Sequence, residues 1–293
     1  PTFNLQLQIM TPLVSVLMTA FNRELYIAEA IQSVLDSTFK DFELIIVDDC
    51  SSDDTNKIAR QFESKDPRVK VYLNEKNLGD YPNRNRAISY ATGEYIMFVD
   101  SDDKILIDGI ENCINTMMRF PSSSYGIYSS KLIRELPIAS KNAIHLHFFE
   151  IPFLIVGPGG TIQRREFINS IGGYPEKYGP ANDMYYHLLA ASKTDIVLLN
   201  FEFIYYRRHD GQEINNKLKY LIYGYLYLKD ALKELDLYLN RKELKWLNYK
   251  NKRRHFVNLT TFLLKERNIK DFIKVVKLTR FTFKDMLIGI FQI

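Results

Sequence analysis

Short apolar, β-branched runs alternate with amphipathic segments along the first hundred residues of the chain. The runs predict strands, and the intervening segments, whose apolar residues lie three and four positions apart, predict helices. Strands and helices in this alternating order favour a parallel sheet covered by helices on both faces. The predicted strands are 13–19, 43–47, 69–73 and 94–99, and the predicted helices are 24–35, one capped by residues 52–54 that ends near 63, and 82–91.

The pattern after residue 120 is less regular. From residue 215 onward, apolar residues recur at three- and four-residue spacings, which predicts helices to the end. We therefore expect an α/β domain over 1–210 and a helical extension over 211–293. The middle section predicts strands at 125–132, 145–156 and 196–206, a helix at 183–191, a glycine-rich loop at 157–161 and a turn at 172–175.

The composition is that of a soluble globular protein, with 46% hydrophobic and 25% charged residues among 293. Cys50 and Cys113 give no disulfide framework, and we expect both to be inert in a reducing compartment. No apolar stretch reaches the roughly 18 to 20 residues of a membrane-spanning helix. The first ten residues lack a signal-peptide pattern. These features predict a cytoplasmic protein.

Charge is distributed unevenly along the chain. Residues 211–293 carry 18 Lys and Arg against 8 Asp and Glu, whereas the first 210 carry 21 against 27. The basic extension, with Lys250, Lys252, Arg253 and Arg254, has two interpretations: helices packed on the first domain, or a peripheral surface that contacts a membrane or a partner. Nucleic acid is not an expected partner, because the aromatic residues there follow helical spacing.

Three acids in four positions, Asp100-Ser101-Asp102-Asp103, follow the fourth predicted strand. Carboxylates this close repel one another unless a cation lies among them, and oxygen ligands favour hard cations such as Mg²⁺ and Mn²⁺. The cluster therefore predicts a metal–diphosphate site, although a solvated turn that ends the strand is the structural alternative. In a parallel sheet, polar residues at 19–22, 48–49 and 100–103 would face one crevice at the carboxyl ends of the strands.

Several motifs resemble those of family 2 glycosyltransferases with the GT-A fold, over roughly residues 12–210 and in the same order. The acid cluster resembles the DXD metal motif of that family. The resemblance implies a Rossmann-like, mostly parallel sheet flanked by helices. The matching segments are 14–22, 43–49 with Ser51 and Ser52, Asn77-Leu78-Gly79, Arg84-Asn85, Gly93-Glu94-Tyr95, Asp100 to Asp103, Gly172-Gly173-Tyr174 and Asp183.

The resemblance also implies roles for individual residues. It assigns nucleotide binding to Thr19, Phe21, Asn22, Asp49, Arg84 and Asp100, metal binding to Asp102, Asp100 and His209, and the general base to Asp183. Asn182 stands where the family commonly has Glu, and we expect it to lie on the acceptor or donor side of the site. Separately, the glycine-rich loop with Gly159, Gly160 and Thr161 lacks the ending of a P-loop, and we expect it to approach the donor or the acceptor.

The resulting expectation is an inverting glycosyltransferase of the hexosyl or N-acetylhexosaminyl type, active in polysaccharide biosynthesis. It would use Mn²⁺ or Mg²⁺ and move a sugar from a nucleotide-sugar, a UDP-sugar if Asp49 accepts from the uracil ring, to a glycan or lipid-linked acceptor. Two alternatives remain open: an inactive nucleotide-sugar-binding module, and a sugar nucleotidyltransferase, whose usual Gly-rich loop after the first strand is replaced by Thr19-Ala20-Phe21-Asn22-Arg23. His145 and His147 would share a strand face, but without a third ligand nearby they do not predict zinc.

Overall fold

The computed structural model describes residues 11–130, 137–209 and 216–291, which fall into two compact units. The first unit contains the described residues up to 119 together with 158–170 and 202–206. The second contains 120–157, 171–201 and 207 onward. The predicted domain boundary at 210/211 lies outside the described residues and stays a prediction.

The secondary-structure elements are numbered in chain order. The strands are β1 (Val14–Ala20), β2 (Phe42–Asp48), β3 (Val69–Leu73), β4 (Tyr95–Phe98), β5 (Lys104–Ile105), β6 (Tyr125–Tyr128), β7 (Thr161–Arg164), β8 (Ile196–Leu199) and β9 (Ile204–Tyr205). The helices are α1 (Ile27–Leu35), α2 (Thr55–Glu63), α3 (Asp80–Tyr90), α4 (Gly109–Met118), α5 (Ser140–Phe149), α6 (Arg165–Ser170), α7 (Asn182–Ala191), α8 (Lys217–Glu234), α9 (Arg241–Glu266), α10 (Ile269–Thr279) and α11 (Phe283–Phe291).

The first unit is built on a mostly parallel sheet with the strand order β3-β2-β1-β4-β7. Strands β1 to β4 pair in parallel, and β7 runs antiparallel to β4. Every residue of β2 and nearly every residue of β1 is buried, which explains their continuous apolar runs. The predicted fold class, a mostly parallel sheet flanked by helices, is confirmed.

A buried acid, Glu43, makes hydrogen bonds between strands near the amino-terminal ends of β1 and β2. Its carboxylate accepts hydrogen bonds from the Ser15 hydroxyl, from the backbone and side chain of Thr92, and from Lys70 Nζ at 2.8 Å. Burial alone would raise the pKa of Glu43, but the hydrogen bonds from Lys70, Ser15 and Thr92 lower it. Glu43 is therefore a charged structural link between β1, β2 and the residues before β4.

In the second unit β6 and β8 pair in parallel. The strand predicted at 145–156 is wrong, because residues Ser140–Phe149 form helix α5. The sequence His-Leu-His-Phe-Phe alternates as a strand would, but the buried residues of α5 lie at helical spacing, at Ala143, Ile144 and His147. Residues two apart in a helix do not share a face, so the expectation that His145 and His147 share a strand face is also wrong.

Two other predicted strands differ in extent. The strand predicted at 196–206 is divided into β8 and β9, which belong to different units. The strand predicted at 125–132 is β6 over 125–128, and its predicted end lies outside the described residues.

The predicted helical character from residue 215 onward is confirmed over residues 217–291. Helices α8, α9 and α10 share an apolar core that includes Leu221, Tyr225, Leu259 and Val275. A capping box between Asn240 and Glu243 begins α9. Within the described ranges, no helix combines the length and the hydropathy that a membrane span requires.

Candidate active site

The loops after β1, β2 and β4 lie at the same edge of the first unit's sheet. In the parallel register Ala20 is opposite Asp48, and Leu17 is opposite Phe98, so the three strands end side by side. The backbone N–H of Asn22 donates to Ser51 Oγ at 2.9 Å, and Asn22 Oδ1 accepts from the Ser52 N–H at 2.9 Å. The first two loops are thus hydrogen-bonded to each other, with Thr19 half-buried and the Phe21 ring 43% exposed.

Asp49, directly after β2, is buried and held by three N–H donors. Its Oδ1 accepts from Asn74 Nδ2 and from the Leu78 backbone, both at 2.8 Å, and its Oδ2 accepts from the Gly79 backbone at 2.9 Å. Because a carboxylate oxygen accepts two hydrogen bonds, Oδ2 has capacity for a further N–H donor. The geometry fixes Asp49 against the loop before α3 and not against α2.

Arg84, on α3, links two acids at this edge. Its Nε lies 2.8 Å from Asp80 Oδ1, and its Nη1 lies 2.8 Å from Asp100 Oδ1. Burial alone would lower the pKa of Arg84, but the charges of Asp100 and Asp80 raise it well above its usual range. The buried guanidinium therefore stays charged and fixes the Asp100 carboxylate.

Asp102 is paired with Arg23, a residue that the sequence analysis did not single out. Arg23 Nε lies 3.0 Å from Asp102 Oδ2, and Arg23 Nη1 donates to the carbonyl oxygens of Phe21 and Asn22. The Asp102 side chain is only 13% exposed. The pairing bridges 79 positions of sequence, and no local pattern signals it.

Asp100 and Asp102 are the two acids at this edge for which we predict metal binding. Among the described residues, no group of three or more His, Cys, Asp and Glu side chains is placed to hold one. Mg²⁺ typically binds through one or two carboxylates together with phosphate oxygens of the substrate. A donor set of two carboxylates therefore fits a metal–diphosphate and does not fit a metal site built from protein alone.

The glycine-rich loop lies against the end of β4. Pro158–Gly160 forms a 3₁₀ turn that leads into β7, and Thr161 Oγ1 donates to the Pro158 carbonyl at 2.8 Å. A Cβ on Gly159 would lie 3.1 Å from Ile204 Cδ1 and 3.5 Å from the Phe98 carbonyl. Glycine therefore lets this turn approach β4, the strand that leads to the acid cluster. That Gly159, Gly160 and Thr161 approach the donor or the acceptor stays a prediction.

The second unit carries the predicted base. Asp183 lies in the first turn of α7, is 9% exposed and accepts from the Met184 N–H at 2.6 Å. Asn182 Oδ1 accepts from the Tyr178 N–H at 2.8 Å, so this side chain stabilises the preceding turn. His209 is half-buried in the same unit. That Asp183 and His209 act together with Asp102 stays a prediction.

Helix α8 supports the turn before α7. Tyr178 OH donates to Asp230 and Tyr185 OH to Glu234, both at 3.0 Å, and Lys177 Nζ pairs with the same two acids. Gly179 has φ +48°, and a Cβ there would lie 2.7 Å from the Tyr223 ring. Contacts with α8 thus position α7, the helix that carries Asp183. The sequence pattern did not indicate these contacts.

Comparison with known proteins agrees with this architecture. The family model described as Glycosyl transferase family 2 matches residues 15–167. WfgD of Escherichia coli, a UDP-Glc:alpha-D-GlcNAc-diphosphoundecaprenol beta-1,3-glucosyltransferase, is 39% identical over 117 residues, which cover 40% of this chain and 46% of that protein. The chain spans less than half the length of the curated relatives it matches.

Two solved structures show the same fold. TarS 1-349 of S. aureus in complex with UDP-GlcNAc has a TM-score of 0.67 and 22% identity, and the match covers 90% of this chain and 79% of that chain. Mannosyltransferase PcManGT from Pyrobaculum calidifontis, in complex with GDP-Man and Mn²⁺, has a TM-score of 0.64 and 15% identity, with coverages of 97% and 88%. The matching family model covers more than half of this chain, which therefore belongs to glycosyl transferase family 2.

Proposed function

We propose that this chain transfers a hexosyl or N-acetylhexosaminyl group from a UDP-sugar to a hydroxyl of a glycan or lipid-linked acceptor, with inversion at the anomeric carbon. One observation carries the proposal. Asp49, Asp100 and Asp102 lie at one edge of the sheet, and each carboxylate is held by specific N–H donors. A surface turn that merely ended a strand would not need two buried or half-buried arginines.

The nucleoside would bind at Asp49. The remaining capacity of Asp49 Oδ2 suits the ring N–H of uracil, and Thr19, Phe21 and Asn22 form the neighbouring loop. TarS, which has the same fold, is described in complex with UDP-GlcNAc. We therefore propose a UDP-sugar as the donor. Other side chains would determine which sugar it carries.

The diphosphate would bind at the acid cluster. Asp102, supported by Asp100, would hold Mg²⁺ or Mn²⁺, which supplies Lewis-acid stabilisation of the departing diphosphate. PcManGT is described with Mn²⁺, which supports this choice of cation. Arg84 pairs with Asp100 and orients it, and Arg23 adds a positive charge next to Asp102. His209 is proposed as a further group near the diphosphate.

The acceptor hydroxyl would lose its proton to Asp183. A general base of this kind typically accelerates a reaction about 10²- to 10⁴-fold. The acceptor oxygen would then form a bond to the anomeric carbon, in line with and opposite to the bond to the diphosphate oxygen, which breaks. This displacement through an oxocarbenium-like transition state inverts the anomeric configuration. Asn182 would then be a structural residue, because its side chain is used by the turn at Tyr178.

The relatives also favour a lipid-linked acceptor. WfgD is named for an acceptor carried on diphosphoundecaprenol. In this chain, exposed apolar residues lie one helical turn apart at Ile269 and Ile273 on α10 and at Phe283 and Leu287 on α11. Exposed lysines at 270, 274, 277 and 284 flank them, whereas Asp271 and Asp285 are half-buried and hydrogen-bonded. We propose that this face contacts an anionic membrane surface.

Vesicle flotation tests the membrane contact. Wild type should float with phosphatidylglycerol vesicles and not with phosphatidylcholine vesicles, and the double variant Ile269→Ser, Ile273→Ser should lose flotation. Leu25→Ser removes an even more exposed apolar residue from the first unit and should float as wild type does. Equal flotation of the double variant and wild type would refute the contact.

A hydrolysis screen tests the transfer activity. Wild type should release nucleotide from a UDP-sugar in the presence of Mn²⁺, and neither chelator-treated enzyme nor Asp102→Ala should do so. Binding of UDP without turnover in any arm would favour the inactive binding module. Formation of a nucleotide-sugar from a sugar phosphate would instead favour a nucleotidyltransferase, although the loop after β1 lacks the glycines of that class.

A further inference from the structure

A cavity lies within the second unit, next to the predicted base, and none of the roles above accounts for it. Helices α7, α8 and α9 form a partly open cavity of about 170 Å³, lined by residues that include Met184, Tyr220, Gly224, Tyr227, Arg254 and His255. Pockets for drug-sized ligands are larger, roughly 300 to 1,000 Å³. The cavity therefore has room for one sugar ring and not for a nucleotide.

Gly224 is unusual for its position. It lies in the interior of the 18-residue helix α8, where glycine costs about 1 kcal/mol relative to alanine. No atom of the described residues lies within 4 Å of a Cβ built at Gly224, and its backbone conformation is one that other residues adopt, so nothing described there requires glycine. A destabilising residue without a structural reason is expected at functional sites. Here its effect is to leave the cavity open.

The lining combines aromatic faces with hydrogen-bonding groups. The His255 ring stacks on Tyr225, with centroids 4.3 Å apart and an interplanar angle of 20°. On the exposed side, Arg254 Nη2 donates to the Gly224 carbonyl at 2.7 Å and to Asn251 Oδ1 at 3.0 Å. The stacked Tyr225 and His255 rings are buried, whereas Tyr220 is half-buried and Arg254 is exposed. An accessible aromatic ring near a fixed guanidinium suits the mixed apolar and hydroxyl surface of a sugar.

The cavity is linked to Asp183. Met184, which lines it, follows Asp183 directly in α7. Tyr227 also lines it, and burial raises the pKa of that phenol, with opposing contributions from the nearby charges of Arg254 and Asp183. Asp183 is therefore the direct neighbour, along α7, of a residue that lines the cavity.

From this arrangement we infer that the cavity is an acceptor subsite, which binds one saccharide ring of the acceptor beside Asp183. The inference rests on the proposed function, because it takes Asp183 as the base that deprotonates the acceptor. Gly224 is then the residue that admits the ring, and Tyr220, Tyr227 and Arg254 are the residues that contact it.

Filling the cavity tests the inference. Gly224→Leu places a side chain in the open space of the cavity. Because leucine has a higher helix propensity than glycine, this variant should fold with an unchanged or raised Tm. Lys233→Leu, on the exposed side of the same helix, is the matched control. The probes are the methyl glycosides of glucose, galactose and their N-acetylamino derivatives, followed by saturation-transfer difference NMR.

Wild type and Lys233→Leu should give saturation transfer from at least one glycoside, and Gly224→Leu should bind that glycoside at least tenfold more weakly. Hydrolysis of the UDP-sugar by water should be equal in all three proteins. Equal glycoside binding by Gly224→Leu, or no binding by wild type, would overturn the subsite even if donor hydrolysis is normal. Absence of donor hydrolysis in wild type would instead count against the proposed function.

Discussion

Arg23 Nε lies 3.0 Å from Asp102 Oδ2, so the acid that we assign to metal binding is paired with an arginine from the loop after β1. The guanidinium is held in place, because its Nη1 donates to the carbonyl oxygens of Phe21 and Asn22. A metal ion that binds Asp102 meets this positive charge at close range. Arg23 is therefore expected to weaken metal binding and to neutralise Asp102 when no metal is bound.

Substitution of Arg23 should raise the affinity of the site for metal. Removing one unit charge next to a half-buried carboxylate changes the free energy of metal binding by roughly 1 kcal/mol. We expect Arg23→Gln with UDP to bind Mn²⁺ about fivefold more tightly than wild type, as measured by electron paramagnetic resonance of free Mn²⁺. Arg60→Gln, which removes a surface pair with Glu63 on α2, should leave the affinity unchanged. Unchanged affinity in Arg23→Gln would argue against Asp102 as a metal ligand.

Arg84 should be important for stability as well as for donor binding. Loss of one partner of a buried ion pair costs about 3 to 5 kcal/mol, and the partial exposure of Asp80 and Asp100 places this case at or below the lower end. Arg84→Met should therefore lower the free energy of unfolding by about 2 to 3 kcal/mol in urea titrations and weaken UDP binding. Arg86→Met, at an exposed position of the same helix, removes a hydrogen bond and a ring contact to half-buried Tyr90 and should change both quantities little. Equal stability of the two variants would contradict the role assigned to Arg84.

His187 should make stability fall in mild acid. Burial lowers the pKa of His187 to about 4, and its ring is held neutral between Tyr125 OH at 2.6 Å and the Val156 carbonyl at 2.7 Å. The unfolded chain binds a proton there below about pH 6.5 and the folded chain does not. The contribution of His187 is therefore complete above pH 6.5 and is lost as the pH falls towards 4.

Unfolding measurements at two pH values isolate this effect. Between pH 7 and pH 5, His187 should account for a loss of about 2 kcal/mol in the free energy of unfolding. His187→Gln is expected to be less stable at both pH values, but its loss between them should be smaller by that amount. An equal pH dependence of wild type and variant would show that His187 does not titrate in this way.

The sheet could be predicted from the sequence because buried parallel strands leave a strong local signal. The runs at β1, β2 and β4 are apolar at almost every position, and polar residues follow each of them directly. Since parallel strands end at a common edge, the meeting of Asn22, Asp49 and Asp102 at that edge follows from the strand order alone.

Contacts between distant residues could not be predicted in this way. The pairs Arg23–Asp102 and Arg84–Asp100 depend on how loops pack, and a charged residue in a loop has no pattern that names its partner. Helix α5 was misassigned because a short apolar run that contains His145 and His147 fits both periods, and only tertiary packing decides between them. The sequence did not indicate a role for Gly224 either, since an isolated glycine is tolerated within a helical pattern.

The anomeric configuration of the first product tests the central claim most directly. With Mg²⁺ and UDP-α-glucose or UDP-α-N-acetylglucosamine, proton NMR of the slow transfer to water distinguishes the two anomers before they equilibrate. Inverting transfer with Asp183 as base predicts that the β-anomer appears first and that Asp183→Asn slows its formation by about 10² or more without weakening UDP binding. Initial release of the α-anomer, or full activity of Asp183→Asn, would contradict this account.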